Sequence, residues 1–164
     1  MSCVLEVVVE HGGGDERIFR DLYPRLRRFA AVVGPVEEDP DDLVQEALMR
    51  TLRKRRLTDL ESPERYLQTV IVRVASNQRR ALGYRRRLVQ RLAPATEAPP
   101  SFPSDLTELF RLPAHVRAVL YLVEVEGWSF RAAAEVAGCS EGAARARASR
   151  GLRQLRVQLS EERT

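Results

Sequence analysis

Cysteine, histidine, lysine and tryptophan are all scarce in this 164-residue chain, and each scarcity excludes something. The two cysteines, Cys3 and Cys139, lie far apart and outside any CxxC spacing, so neither a disulfide framework nor a zinc site is expected. The two histidines are no better placed for chemistry, His11 standing in a glycine-rich arm and His115 beside Pro113. With no Gly-rich phosphate loop, nucleophile elbow or HExxH motif, neither an enzyme nor a cofactor or metal is expected. Long apolar runs are missing too. The run Val7 to Val9, within Val4 to Val9, is far below the roughly 20 residues that span a bilayer and too short for a signal-peptide core. The expectation is a soluble cytoplasmic protein without membrane insertion. A hydrophobic content of 44% excludes a wholly disordered chain and leaves room for one medium domain or two small ones.

What is abundant is arginine. Lys54 is the sole lysine among 27 basic residues, and a guanidinium fork suits phosphates and guanine edges better than an ammonium does. Genomic base composition produces the same bias, so distribution along the chain is more telling than the total. The formal net charge is only +4 because opposite stripes cancel. From Tyr66 to Thr96 there is no acid, while Arg73, Arg79, Arg80, Arg85, Arg86, Arg87 and Arg91 accumulate. Gly142 to Leu159 is again free of acid. In contrast, Glu37, Glu38, Asp39, Asp41, Asp42 and Glu46 form an acidic block. Calcium does not fit that block, which lacks the glycine and terminal glutamate of an EF-hand loop.

The pattern predicts an all-α chain of two small helical domains. Residues 1–14 read as an arm ending in Gly12, Gly13 and Gly14. A first domain, residues 15–92, holds three helices. One runs from Asp15 to about Val33, with Pro24 expected to bend or break it; one is capped by Asp39 with Pro40 in its first turn; one is capped by Ser62 and extends to about Arg87. Residues 93–104 hold four prolines and read as a semi-stiff linker. The second domain, residues 105–164, is expected to place helices at Leu106 to Leu112, Ala114 to Glu124 and Ser129 to Ala137. A turn at Gly138, Cys139 and Ser140 then leads into a last helix from Glu141 to about Leu159, making a helix-turn-helix.

Helical wheels separate three candidate surfaces. On the last helix Ala144, Ala148, Leu152, Leu155 and Leu159 fall on one side, and Arg145, Arg147, Arg150, Arg153 and Arg156 on the other. The start of such a helix enters the major groove, so Arg145, Arg147, Ser149 and Arg150 can reach base edges, with Arg153 and Arg156 nearer phosphates. A merely solvated basic face is the bland alternative, which the preceding turn makes less attractive. On the third helix Leu67, Val70, Ile71, Val74, Ala81 and Leu82 make the buried side. Tyr66, Arg73, Asn77, Arg80, Tyr84 and Arg87 group opposite them. Tyrosine interleaved with arginine and an asparagine suits unpaired bases, which stack on rings and guanidinium planes; tyrosines snorkelling at a domain edge give the same composition. The second helix buries Val44, Ala47, Leu48 and Leu52 and presents Asp42, Gln45, Glu46, Met49 and Arg53. An acidic face repels DNA, so its partner should be protein.

These residues resemble the extracytoplasmic-function (ECF) group of the sigma-70 family of bacterial RNA polymerase sigma factors. Asp41-Asp42-Leu43-Val44-Gln45-Glu46-Ala47-Leu48-Met49-Arg50 is similar to the polymerase-binding helix of that family, and Arg73-Val74-Ala75-Ser76-Asn77 to its promoter-melting helix. Leu112-Pro113 with Arg117, Glu126-Gly127-Trp128-Ser129, Gly138-Cys139-Ser140-Glu141-Gly142, Arg145-Ala146-Arg147 and Ser149-Arg150 resemble the second domain. The resemblance implies promoter-directed transcription initiation with assisted melting. Asp42, Gln45, Glu46, Met49 and Arg53 would dock on the β′ clamp helices of core polymerase, with the β flap as a further contact. The Tyr66 to Arg87 face would hold the melted minus-ten strand, and Arg145, Arg147, Ser149, Arg150 and Arg153 would address the minus-thirty-five duplex. A sequestering anti-sigma factor follows from family analogy alone. Where the family often has Thr-Val-Lys-Ser, this chain has Ala143-Ala144-Arg145-Ala146, so promoter preference does not carry over. The rival expectation is a helix-turn-helix regulator acting without a sigma role.

Overall fold

The computed structural model describes residues 13–92 and 109–161, and the side chains of all of these except 79–92 and 158–161. Among them every regular element is helical, in line with the all-α expectation. In chain order they are α1 (Gly13–Val33), α2 (Pro40–Leu52), a 3-10 turn (Leu57–Asp59), α3 (Pro63–Leu92), α4 (Ala114–Leu120), α5 (Phe130–Ala137) and α6 (Glu141–Glu161). The expected linker at 93–104 and residues 1–12 of the expected arm lie outside the described residues.

Helix α1 begins at Gly13, inside the segment expected to be arm. The reason is tertiary. Asp15 is fully buried, and its carboxylate accepts from the Thr58 backbone N–H at 3.0 Å and from Arg56 Nε at 3.4 Å, which pins the first turn of α1 to the 3-10 turn. Pro24 does not interrupt the helix. Its side chain faces solvent, while Phe19, Leu22, Leu26, Phe29 and Val33 keep a continuous buried stripe on the other side. Burial of that stripe on both sides of the proline outweighs the lost hydrogen bond, whose cost is about 3 kcal/mol.

Helix α2 starts as its sequence predicts. The Asp39 carboxylate accepts from the Asp41 N–H at 2.9 Å, and Pro40 occupies the first helical position, where no N–H is needed. Leu43, Val44, Ala47, Leu48 and Leu52 are buried against α1 and α3. The fourth helix departs from expectation: after Leu120 it widens into a π turn, Tyr121–Val125, closed by Glu126 N–H to Tyr121 O at 3.1 Å and Trp128 N–H to Leu122 O at 2.8 Å. Of the expected Leu106 to Leu112 helix, only residues from 109 onward are described, and those before Leu112 are helical.

The helix-turn-helix forms as read. Ser129 caps α5 by accepting from the Ala132 N–H at 3.2 Å, and Gly138 ends it in the left-handed conformation at φ 66°. Cys139 N–H then donates back to Ala134 O at 3.0 Å, and Ser140 caps α6 by accepting from the Ala143 N–H at 3.2 Å. Buried apolar side chains of the N-terminal and C-terminal helices join in one continuous cluster, because α1 and α3 pack against α4, and α3 also packs against α5.

Candidate nucleic-acid and polymerase surfaces

Helix α6 presents the basic face that its sequence implies. Ala144 and Ala148 are buried, Leu152 and Leu155 half-buried, and Arg145, Ser149, Arg150, Arg153 and Arg156 exposed; Arg147 is half-buried at the edge of the face. Leu159 lies outside the described side chains. The exposure of Gly142 and Ala146 leaves a low surface beside these arginines, where a duplex can approach closely. Arg145 is not a free rod. Its guanidinium carbon lies 4.8 Å from the centroid of the Phe130 ring, and its Nη2 donates to Glu141 Oε1 at 2.7 Å. The sequence reading missed Gly151, which is buried where α6 crosses α4. A Cβ there would come within 3.1 Å of Val116 and 3.3 Å of Leu120.

Helix α3 is less simple than its wheel. Leu67, Ile71 and Val74 are buried and Val70 half-buried, as expected, with Arg73 and Asn77 exposed and Tyr66 half-buried on the opposite side. These three share one strip of the helix surface, four and seven residues apart. Arg80, Tyr84, Arg87, Ala81 and Leu82 fall on the continuing helix, and their side chains lie outside the described residues. A second buried side was not anticipated: Gln68, Val72 and Ala75 are also enclosed. Their spacing of four and three is helical, but a polar glutamine in it reads as surface until another element covers it.

The acidic face of α2 divides in two. Asp41 is engaged within the fold, accepting from Tyr23 Oη and Arg27 Nε, each at 2.8 Å. Burial, then this hydrogen bond, pushes the Tyr23 phenol above its usual pKa. Asp42 and Arg53 are exposed, and Gln45, Glu46 and Met49 are half-buried around them. Glu46 pairs with Arg50 one turn on, at 2.6 Å. The five predicted contact residues therefore form one surface, carried by the helix whose start Asp39 and Asp41 hold in place. Among the described residues no group of three or more His, Cys, Asp or Glu side chains is arranged to hold a metal ion, and no helix is long and apolar enough to cross a membrane.

Comparison with known proteins agrees with this geometry. Residues 18–95 match the Sigma-70 region 2 family and residues 107–155 match Sigma-70, region 4. The chain is 32% identical to the RNA polymerase sigma factor CarQ of Myxococcus xanthus over 164 aligned positions, covering 90% of this chain and 92% of that one. It is 24% identical to the ECF RNA polymerase sigma factor SigM of Mycobacterium tuberculosis, covering 92% and 81% respectively. Among solved structures it is similar to the sigma factor RpoE of Bartonella quintana, determined in complex with the anti-sigma factor NepR. The TM-score is 0.67, with 25% identity and coverage of 88% of this chain and 96% of the other. Two family regions on one chain, the first holding the α2 and α3 surfaces and the second the α6 face, lead to one assignment: the chain belongs to the extracytoplasmic-function group of the sigma-70 family, the promoter-specificity subunits of bacterial RNA polymerase.

Proposed function

We propose that this sigma factor divides its work among three surfaces. Asp42, Gln45, Glu46, Met49 and Arg53 on α2 dock on the β′ clamp helices of core polymerase, with the β flap as a second contact made by the C-terminal half. Tyr66, Arg73 and Asn77, continued by Arg80, Tyr84 and Arg87, hold the melted minus-ten strand by stacking and base-edge hydrogen bonds. Arg145, Arg147, Ser149, Arg150 and Arg153 read the minus-thirty-five duplex and its phosphates. The division into residues 15–92 and 105–164, joined by 93–104, belongs to this reading, as do a cytoplasmic location, the lack of catalysis by the chain itself and restraint by an anti-sigma factor.

The observation that carries the reading is the pairing of two unlike basic surfaces on one chain. A duplex-type arginine face lies on α6, the second helix of the helix-turn-helix, and a tyrosine, arginine and asparagine strip lies on α3. A helix-turn-helix regulator without a sigma role needs the first surface only and leaves the region 2 match without a purpose. Run-off transcription with purified core polymerase and DNA from the source genome tests the assignment. The expected result is initiation at a defined start that depends on added protein and weakens steeply with salt as counterions compete for phosphates. Transcription without any protein-dependent start would overturn it.

A further inference from the structure

Glu141 carries the wrong charge for the surface on which it stands. It is the sole acid between Val136 and Ser160 and the first residue of α6, with Gly142, Arg145, Ser149 and Arg150 exposed on the same helix. A DNA duplex carries one negative charge per ~1.7 Å of its axis, so an exposed carboxylate on this face opposes binding unless a donor meets it. Two ordinary benefits favour an acid at this position: it complements the positive start of the helix, and it pairs with a basic residue four positions on. Both are small at an exposed site, and Ser140 already caps this helix through the Ala143 N–H.

What sets Glu141 apart is the arginine that it holds. Arg145 Nη2 donates to Glu141 Oε1 at 2.7 Å, while the Arg145 guanidinium carbon lies 4.8 Å from the centroid of the Phe130 ring. The guanidinium is met from two sides, by a carboxylate on its own helix and by a ring on α5. The side chains of Arg145 and Glu141 are nevertheless 61% and 43% exposed, so both charged heads can reach a duplex. Glu141 Oε2 accepts no hydrogen bond from a described residue and is open to an outside donor.

The major groove offers few such donors. Cytosine presents its N4 amine and no acceptor, and adenine presents its N6 amine beside the N7 acceptor. Guanine and thymine present acceptors, which repel a carboxylate. Arg145 is the natural partner of guanine O6 and N7. The two residues leave the helix four positions apart, about 6 Å along its axis, whereas base pairs are ~3.4 Å apart. The carboxylate therefore approaches from the side of the neighbouring base pair, outside the plane of the guanine. We propose that Glu141 is a specificity-determining residue of the minus-thirty-five surface: with Arg145 on a guanine, it accepts from the N4 of a cytosine in the adjacent base pair. The proposal rests on the duplex reading of α6 and adds a base preference to it. Rejection contributes as much as attraction, because guanine O6 or thymine O4 in the cytosine position would face the carboxylate oxygens.

The test is selection by the holoenzyme, assembled from core polymerase and the full chain, on promoters with a randomised minus-thirty-five element, followed by sequencing of the bound DNA. Circular dichroism checks that each variant is folded. The wild type is expected to enrich a guanine with a cytosine in the adjacent pair. Glu141→Gln replaces the carboxylate by an amide, which matches N6 and N7 of adenine, so preference at that one position should pass from cytosine to adenine, the ratio of the two falling about tenfold or more. Glu141→Ala should flatten the same position. A carboxylate that only complements the helix start or pairs with Arg145 in the free protein predicts a different result, in which the variants change affinity for all sequences alike. Unchanged base preferences in the variants, or a wild-type element without the guanine and adjacent cytosine, overturn the proposal. A change confined to the guanine position would make Glu141 a support for Arg145 and overturn the cytosine contact. A wild-type holoenzyme that enriches no minus-thirty-five sequence at all removes the duplex reading of α6, and this proposal with it.

Discussion

The Arg145 guanidinium lies over the face of the Phe130 ring, at 4.8 Å, so the first residue of α5 braces an arginine at the start of α6. A cation held over an aromatic face loses less freedom on meeting a base than a solvated one does. Phe130→Leu keeps an apolar side chain and removes the quadrupole. The expected outcome is a stability change below about 1.5 kcal/mol together with reduced discrimination among minus-thirty-five sequences. Competition binding with single-base operator variants checks it; unaltered discrimination would show that the brace plays no part in readout.

Asn77 and Arg147 should fail at different steps. Asn77 is exposed on the α3 strip, so Asn77→Ala is expected to impair strand opening, read by permanganate reactivity, more than closed-complex affinity. Arg147→Ala should instead weaken duplex recognition by about 1 to 3 kcal/mol if it contacts a base edge. Equal losses in both assays for Asn77→Ala would remove the strand-capture role.

Gly151 trades helix propensity against space. Alanine favours a helix interior by about 1 kcal/mol, but its Cβ would meet Val116 at 3.1 Å and Leu120 at 3.3 Å, both themselves buried. Neither neighbour can move without disturbing the α4–α6 packing. Gly151→Ala should therefore lower stability by about 1 kcal/mol net, against an overpacking cost of about 1 to 3 kcal/mol. Urea unfolding gives the sign directly, and a higher midpoint would mean that α6 can shift outward.

Glu64 should make stability depend on pH. Burial pushes its carboxyl above the ordinary value of 4.5; Arg25, 3.2 Å away, opposes this, and the negative charge of Glu126 adds to it. A raised folded pKa means that the native state keeps a proton the unfolded chain has released. Stability contributed by this group is therefore complete below pH 4.5 and is lost as pH rises through the folded value. In Glu64→Gln that loss should disappear, so the variant should gain on the wild type as pH rises above 4.5. Urea midpoints that change in parallel for the two proteins would refute the account.

The helix starts and the helix-turn-helix were legible because their signals are local. Asp39 with Pro40, Ser129, and Gly138 with Ser140 each satisfy backbone groups within a few residues, and each does so as the chain order suggests. The arginine face of α6 was legible for the same reason, since a helical period needs no partner to define it. Pro24 misled because the cost of a proline is also local, whereas the stripe from Phe19 to Val33 that overrides it is a tertiary gain.

By itself the sequence determined the all-α class that the described residues show, a striped charge whose small total is a cancellation, and the grouping of residues on which the three proposed surfaces rest. Periodicity and capping act over a few residues, and charge sign is a property of composition. Only the tertiary structure decided that Asp15 is buried as an anchor, that Asp41 is engaged by Tyr23 and Arg27 rather than free for a partner, and that α3 has a second buried side. It alone joined Arg117 to the carbonyls of Val33 and Gly34, a contact across more than 80 residues of chain. No local pattern encodes that contact, because a guanidinium finds those oxygens only after two helices have packed and excluded water.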